Sequence, residues 1–178
     1  MVQPETYTLG LKELRERSID LVLARLPRAP VTDDLAIEPL LDDQHRVVVG
    51  NSNPLARRRI RLADLIDEPW IFPPNHVVHD MIGEAFAAEG LAIPAEHVDS
   101  SSILLRFELL ETGRYVTVLT DSVLRHGARH WPIKVLPIDL QFSPRPLSVL
   151  TLKNRTLSPA VRLFIDHLRA VARTLSIS

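Results

Sequence analysis

The 178-residue chain contains no cysteine. It therefore has no disulfide framework, no thiolate metal site and no thiol nucleophile, which is compatible with a reducing compartment. Glycine is scarce, six in all, so a phosphate-cradling loop has little to be made from. No P-loop, G-x-G-x-x-G, G-x-S-x-G or H-E-x-x-H pattern occurs, which removes the commonest nucleotide-binding, esterase and metalloprotease chemistries. Neither charge sign is in excess: 21 basic against 22 acidic residues give −1, whereas a nucleic-acid-binding domain usually carries a basic face and a high pI. No run approaches the ~18 apolar residues of a membrane span. The opening MVQPETYTLG has proline and glutamate where a signal peptide needs a basic head and an apolar run. A cytoplasmic protein with no membrane association is expected.

What is present is globular. A hydrophobic fraction of 46% in a chain of this length suffices for a core of its own, in one domain or two small lobes. Short apolar runs alternate with helical patterns, the mark of an α/β fold. The first helix is expected at 9–17, with strands at Ile19 to Ala24, Arg46 to Gly50, Trp70 to Phe72, up to Val98, Tyr115 to Leu119, Val135 to Ile138 and Leu147 to Leu152. Residues 25–34, which hold Pro27 and Pro30, read as a loop, and Leu62 to Ile66 as a short helix. Helices are expected from His79 to Glu89, with Gly90 just past the end, and from Ile103 through Phe107 and Leu110 to a stop at Gly113. Ser158 and Pro159 make a cap and first residue for the last helix, whose apolar stripe is Val161, Phe164, Ile165, Leu168 and Ala172.

Few residues are arranged for chemistry. His76, His79 and Asp80, and separately His126 and His130, have spacings a metal could use, but neither group brings a recognisable third ligand. No metal and no cofactor is expected. Arg57, Arg58, Arg59 and Arg61 form the one dense basic cluster; without interleaved aromatics it reads as a solvated face rather than a nucleic-acid contact. Three polar clusters read as lying between a strand and a helix: Thr6-Tyr7-Thr8, Asn75-His76 and Ser100-Ser101-Ser102. Free N–H groups and the helix dipole favour anions at such places, and open α/β sheets bind ligands beyond the carboxyl ends of their strands. Each cluster taken singly is a helix cap. Three together, with no nucleophile–base pair, point to a binding protein rather than an enzyme.

The order of motifs resembles the effector-binding (substrate-binding) domain of LysR-type transcriptional regulators. Leu14 to Leu21 is similar to that family's L-x-x-G-x-hydrophobic-D passage, with Arg17 where glycine is usual. Pro39-Leu40-Leu41 leading into Arg46 to Val49 resembles its crossing strand, and Asn53 to Ala56 followed by Leu62 to Leu65 is the most family-specific stretch. Phe86 to Leu91 with Pro94, Leu110 to Val116, and Ser158 to Ala160 continue the pattern over nearly all the chain.

The resemblance implies two Rossmann-like lobes similar to type 2 periplasmic binding proteins, with 1–42 and 138–178 as lobe I and 43–137 as lobe II. It also implies a truncated lobe I, because the chain starts at what would be the second strand. A chain lacking the winged helix-turn-helix of such regulators is expected. By position, the family's effector contacts fall on Thr6, Tyr7 and Thr8, on Pro73, Pro74, Asn75 and His76, on Ser100, Ser101 and Ser102, and near Thr120 and Asp121. Arg25, just after a strand, would join them. The implied partners are a small effector (an organic anion or a sugar-related metabolite) and a second copy of the chain as a dimer, with no direct nucleic-acid binding. A free-standing solute-binding protein of the same fold is the alternative.

Overall fold

A computed structural model describes residues 5–26, 32–73, 76–126, 130–138, 140 and 145–177, of which residues 5–7, 76, 126 and 177 are described by backbone alone. The chain divides into two compact units, Met1–Asp43 with Pro144–Ser178, and Gln44–Ser143. The sequence placed the divisions at 42/43 and 137/138. Ile138 and Leu140 pack into the core of the second unit, which is why that unit runs past 137.

In the first unit, α1 (Glu5–Arg15) covers a three-stranded sheet of β1 (Val22–Arg25), β2 (Leu35–Leu41) and β8 (Leu147–Leu152). The order is β1-β8-β2, antiparallel throughout. Leu11 and Leu14 of α1, three apart on one face, close over Leu35 and Leu150. The helix starts earlier than the expected 9–17, so Thr6 to Thr8 lie in its first turn rather than ahead of it. It stops at Arg15 because Arg17 turns left-handed at φ 62°. The Ser18 N–H then reaches the Glu13 carbonyl at 3.0 Å and the Arg17 N–H the Leu14 carbonyl at 3.2 Å, the two bonds of a Schellman cap. Arginine thus occupies the conformation that favours the glycine usual at this position.

Strand β2 extends well upstream of the Pro39-Leu40-Leu41 passage read from the sequence. Pro39 stands where the register with β8 shifts, an irregularity that accommodates a residue without an N–H. The expected strand at Ile19 to Ala24 is shorter and shifted, as β1.

The last helix, α5 (Pro159–Ile177), begins as expected: the Ser158 hydroxyl accepts from the Val161 N–H at 3.3 Å. It is tied to β2 by Arg169, whose Nε and Nη2 meet the Glu38 carboxylate at 2.6 and 2.7 Å. The expected apolar stripe is only partly covered. Ile165 and Ala172 are buried, whereas Phe164 is 53% exposed, beside similarly exposed Leu163 and Val171.

The second unit is built on β3 (His45–Gly50), β4 (Trp70–Phe72), β5 (His97–Asp99), β6 (Val116–Thr120) and β7 (Ile133–Val135), in the order β5-β4-β6-β3-β7. β4 runs parallel to β5 and β6, and β3 antiparallel to β6 and β7. The apolar run of β3 follows from its central place: Val47, Val48 and Val49 are all fully buried. The period of two sends Val47 and Val49 into one core and Val48 into another. The larger core holds Trp70, Phe72 and Phe86 with α2 (His76–Ala88) and two short 3-10 turns, Pro54–Arg57 and Leu62–Leu65. Burying each ring contributes about 1.5–3 kcal/mol, and the Trp70 indole N–H is satisfied by the Leu65 carbonyl at 2.9 Å. On the opposite face lie α3 (Ile103–Glu111) and α4 (Asp121–His126), the latter not foreseen.

α2 begins three residues before the expected His79, and β7 two residues before the expected Val135. β7 lies where Ile133 to Val135 can pair with Val48 to Gly50. Gly90 and Gly113 end α2 and α3 at φ 72° and 73°. Gly50 permits a close approach: a Cβ there would lie 1.9 Å from the Leu110 carbonyl oxygen.

Candidate functional site

Because β4, β5 and β6 are parallel, their carboxyl ends share one edge of the second unit's sheet. Pro73 follows the first, Ser100 to Ser102 the second, and Thr120 with Asp121 closes the third. This topology brings together three of the segments singled out in the sequence. Pro74 and Asn75 lie outside the described residues, and His76 is described only as the first residue of α2.

The serine segment is built by its own hydrogen bonds. The Ser100 N–H donates to the Phe72 carbonyl at 2.9 Å, extending the β4–β5 ladder. Its hydroxyl, on a buried residue, accepts from the Ser102 N–H at 3.2 Å. Ser102 caps α3, its hydroxyl accepting from the Leu105 N–H at 3.3 Å. Ser101 stands exposed between them, and the first turn of α3 adds the exposed Ile103, Leu104 and Leu105. The rim is thus both polar and apolar.

Across the edge, Thr120 is half-buried and shares a hydrogen bond with Ser122 at 3.0 Å. The Asp121 carboxylate is engaged by Arg46, whose Nε and Nη2 approach its two oxygens at 3.0 and 3.2 Å. The Asp121 N–H meets the Gln44 carbonyl at 2.9 Å. Asp121 therefore anchors the start of α4 to β3.

In the first unit, Thr8 is exposed on α1; Thr6 and Tyr7 share that helix, their side chains outside the description. Arg25 is the last residue of β1 and its guanidinium is committed locally. Nη1 donates to the Arg145 carbonyl at 2.7 Å, Nη2 donates to the Asp43 carbonyl at 3.0 Å, and Nη2 lies 3.6 Å from the Asp43 carboxylate. Burial lowers its pKa, with Asp43 and then Asp42 opposing. These bonds give Arg25 a structural task at the margins of the unit.

Sequence reasoning missed Arg106. It sits one turn into α3 and is only 8% exposed. Nη2 donates to the Thr117 hydroxyl at 3.0 Å and to the Val118 carbonyl, while Nε has no hydrogen-bond partner among the described residues. Thr117 in turn donates to the Ile71 carbonyl at 2.6 Å. Burial alone lowers the Arg106 pKa, to about 10, so the group is a cation at neutral pH with no carboxylate beside it among the described residues. A signal existed. Ile103, Arg106, Phe107 and Leu110 fall at i, i+3, i+4 and i+7, which places an arginine on the helix's inward face.

Arg57, Arg58, Arg59 and Arg61 are exposed; Arg59 and Arg61 line an open hollow of about 480 Å³ with Ile60, Asp64 and Pro137. Among the described residues no three His, Asp or Glu side chains gather as a metal site, and no helix is long and apolar enough to cross a membrane.

Comparison with known proteins gives this arrangement its family. Residues 2–173 match the LysR substrate binding domain. The chain belongs to that family. Among curated LysR-type relatives, it is 26% identical over 176 residues to the HTH-type transcriptional regulator GbpR of Azospirillum brasilense, covering 97% of this chain and 52% of that protein. Against the HTH-type transcriptional regulator GalR of Pseudomonas putida it is 24% identical over 166 residues, 93% of this chain and 42% of that protein. The chain thus spans about half the length of these relatives, which are transcription regulators rather than enzymes.

Solved structures show the same LysR effector-domain fold. The effector binding domain of QuiR in complex with shikimate has a TM-score of 0.71 at 22% identity, with 92% of this chain and 77% of that one covered. The Synechocystis PCC6803 CcmR regulatory domain in complex with 2-PG has a TM-score of 0.71 at 23% identity, with 96% and 80% covered. The BenM effector binding domain with its effector benzoate has a TM-score of 0.70 at 20% identity, with 96% and 77% covered. The expected α/β, periplasmic-binding-protein-like fold and the LysR resemblance are thus both confirmed.

Proposed function

We propose that this chain is the ligand-sensing module of a LysR-type regulator, and that a small effector binds at the carboxyl ends of β4, β5 and β6. The match of residues 2–173 to the family is the observation that carries this reading. The convergence of Pro73, Ser100 to Ser102 and Thr120 on one sheet edge supports the place, since ligands bind there in open α/β sheets. Pro74, Asn75, His76 and Asp121 belong to the same proposed site on the second unit; on the first unit, taken by itself, Thr6, Tyr7 and Thr8 of α1 and Arg25 of β1 stay proposed as ligand contacts, Arg25 in addition to its local bonds. The effector is an organic anion or a sugar-related metabolite; shikimate and benzoate, bound by the structural neighbours named above, are carboxylates. Binding stabilises one arrangement of the domain over others, which is how a ligand biases a regulator.

The same reading holds that the module pairs with a second copy of itself, which the exposed Leu163, Phe164 and Val171 of α5 support. It also holds that the module works in the cytoplasm, is not itself an enzyme and makes no nucleic-acid contact, in keeping with its charge of −1.

A thermal-shift screen of small metabolites tests the proposal. At least one compound is expected to raise the melting temperature in a saturable way, and S101A combined with N75A to abolish the shift. A shift untouched by both changes would remove the site assignment; no shift from any compound would remove the sensing role.

A further inference from the structure

Arg106 is a buried cation with no acidic partner among the described residues. Its pKa is moved by burial alone, with no carboxylate among the causes, and one of its donors, Nε, meets no acceptor. Burying an ion without a counter-charge is among the costliest arrangements a fold can hold. A hydroxyl and a carbonyl, its two acceptors in the described structure, satisfy hydrogen bonds but supply no negative charge.

Its place gives that charge a use. Val118 lies two residues before the end of β6, and Ile71, which accepts from Thr117, lies one residue before the end of β4. The Arg106 N–H itself donates to the carbonyl of Ser102, the cap of α3, at 3.1 Å. The guanidinium is therefore held against β6 two to three residues short of the carboxyl end that Thr120 closes, on the helix that Ser102 caps. The N-terminus of α3 adds the positive end of its dipole at the same edge.

We propose that Arg106 supplies the counter-charge for an anionic group, a carboxylate or a phosphate ester, on a ligand bound at these strand ends. The inference rests on the effector site proposed above and narrows its ligand to anions. Uncharged sugars lack the group that would offset the buried charge, so the site discriminates by charge before shape.

The test uses matched ligands on the whole chain. Small carboxylates and inorganic phosphate are screened by thermal shift beside uncharged sugars, and the best carboxylate is then titrated calorimetrically against its own primary amide. The wild type is expected to prefer the carboxylate by about 10-fold or more, as a charge-assisted contact implies. R106Q loses that preference while binding the amide as before, and R106K keeps most of it. Circular dichroism of both variants separates this from loss of fold, because a purely structural role would weaken both ligands alike. If R106Q does not fold, R106H is titrated instead: a preference present at about pH 5.5 and lost at about pH 8 supports the proposal, and one unchanged with pH overturns it. Equal binding of carboxylate and amide by the wild type, or an undiminished preference in R106Q, overturns it. Protection by uncharged ligands alone overturns it while leaving the effector role standing, whereas protection by no ligand overturns both.

Discussion

Arg25 and Arg145 are 120 positions apart in sequence, and Nη1 of Arg25 donates to the carbonyl of Arg145 at 2.7 Å. With its second donor on the Asp43 carbonyl, a single guanidinium holds the residues at which the chain leaves and re-enters the first unit. The side chains of Arg25 and Asp43 are 10% and 6% exposed, so the contact is scarcely screened. Replacing Arg25 with methionine removes its two bonds to the Arg145 and Asp43 carbonyls and the positive charge beside the Asp43 carboxylate. We expect R25M to cost about 2–4 kcal/mol in urea denaturation. A loss below about 0.5 kcal/mol would show that the clamp contributes nothing.

Arg17 offers the opposite outcome. A non-glycine residue in the left-handed region costs about 1–2 kcal/mol, partly offset by the larger freedom glycine has when unfolded, about 0.5–1 kcal/mol. R17G is expected to raise stability by up to about 1 kcal/mol, read as a higher denaturation midpoint with unchanged slope. A destabilised R17G would mean that the arginine side chain contributes more than its backbone strain costs.

Gly50 has no such latitude. An added methyl would press on backbone at Leu110, which no rotamer change relieves. G50A is expected to lose about 1–3 kcal/mol, seen as a lower melting temperature. An unchanged melting temperature would place β3 and α3 further apart than described.

Two carboxylates set the acid limb of stability. Asp34 is held well below its usual range by hydrogen bonds from Arg15, at 2.8 and 3.2 Å, and from Thr32, and Glu38 is lowered by the bidentate Arg169. Both pKa values are lower folded than unfolded. Their contribution is therefore complete above the ordinary values of 3.8 and 4.5 and is lost as pH falls through the folded ones. R15M and R169M should each lower stability modestly at pH 7, since exposed pairs are screened. Each should also flatten its decline below about pH 4. Urea midpoints measured from pH 7 to 2 check this, and parallel curves for variants and wild type would contradict it.

The sequence was most legible where one local rule acts alone. Gly90 and Gly113 marked helix ends because their φ values need glycine, and the run at Val47 to Val49 announced a strand buried on both faces. Ser158 and Pro159 announced a helix start for equally local reasons. It was least legible where the deciding neighbour is far away. β2 was recognised only near its end because Pro39 speaks against a strand, and only its pairing with β8 shows the register shift that admits it. Phe164 fits a periodic stripe, yet nothing local reveals that α5 covers only part of that stripe. The polar clusters were visible as residue types, and the parallel pairing of β4 with β5 and β6 brings those of the second unit to one edge. Arg25 looked available from its place after a strand; its partners at Asp43 and Arg145 are set by tertiary contacts. Arg106 was hidden because an arginine within an apolar face is ordinarily expected to swing outward.

Mapping backbone amide shifts of isotope-labelled protein during titration with a stabilising ligand shows where the effector sits on the second unit. Saturable changes are expected at Ser100 to Ser102, Thr120 and the start of α3, with the Arg106 side-chain Nε–H among the most displaced signals. Changes confined to other surfaces, such as the hollow at Arg59 and Arg61, would contradict this placement.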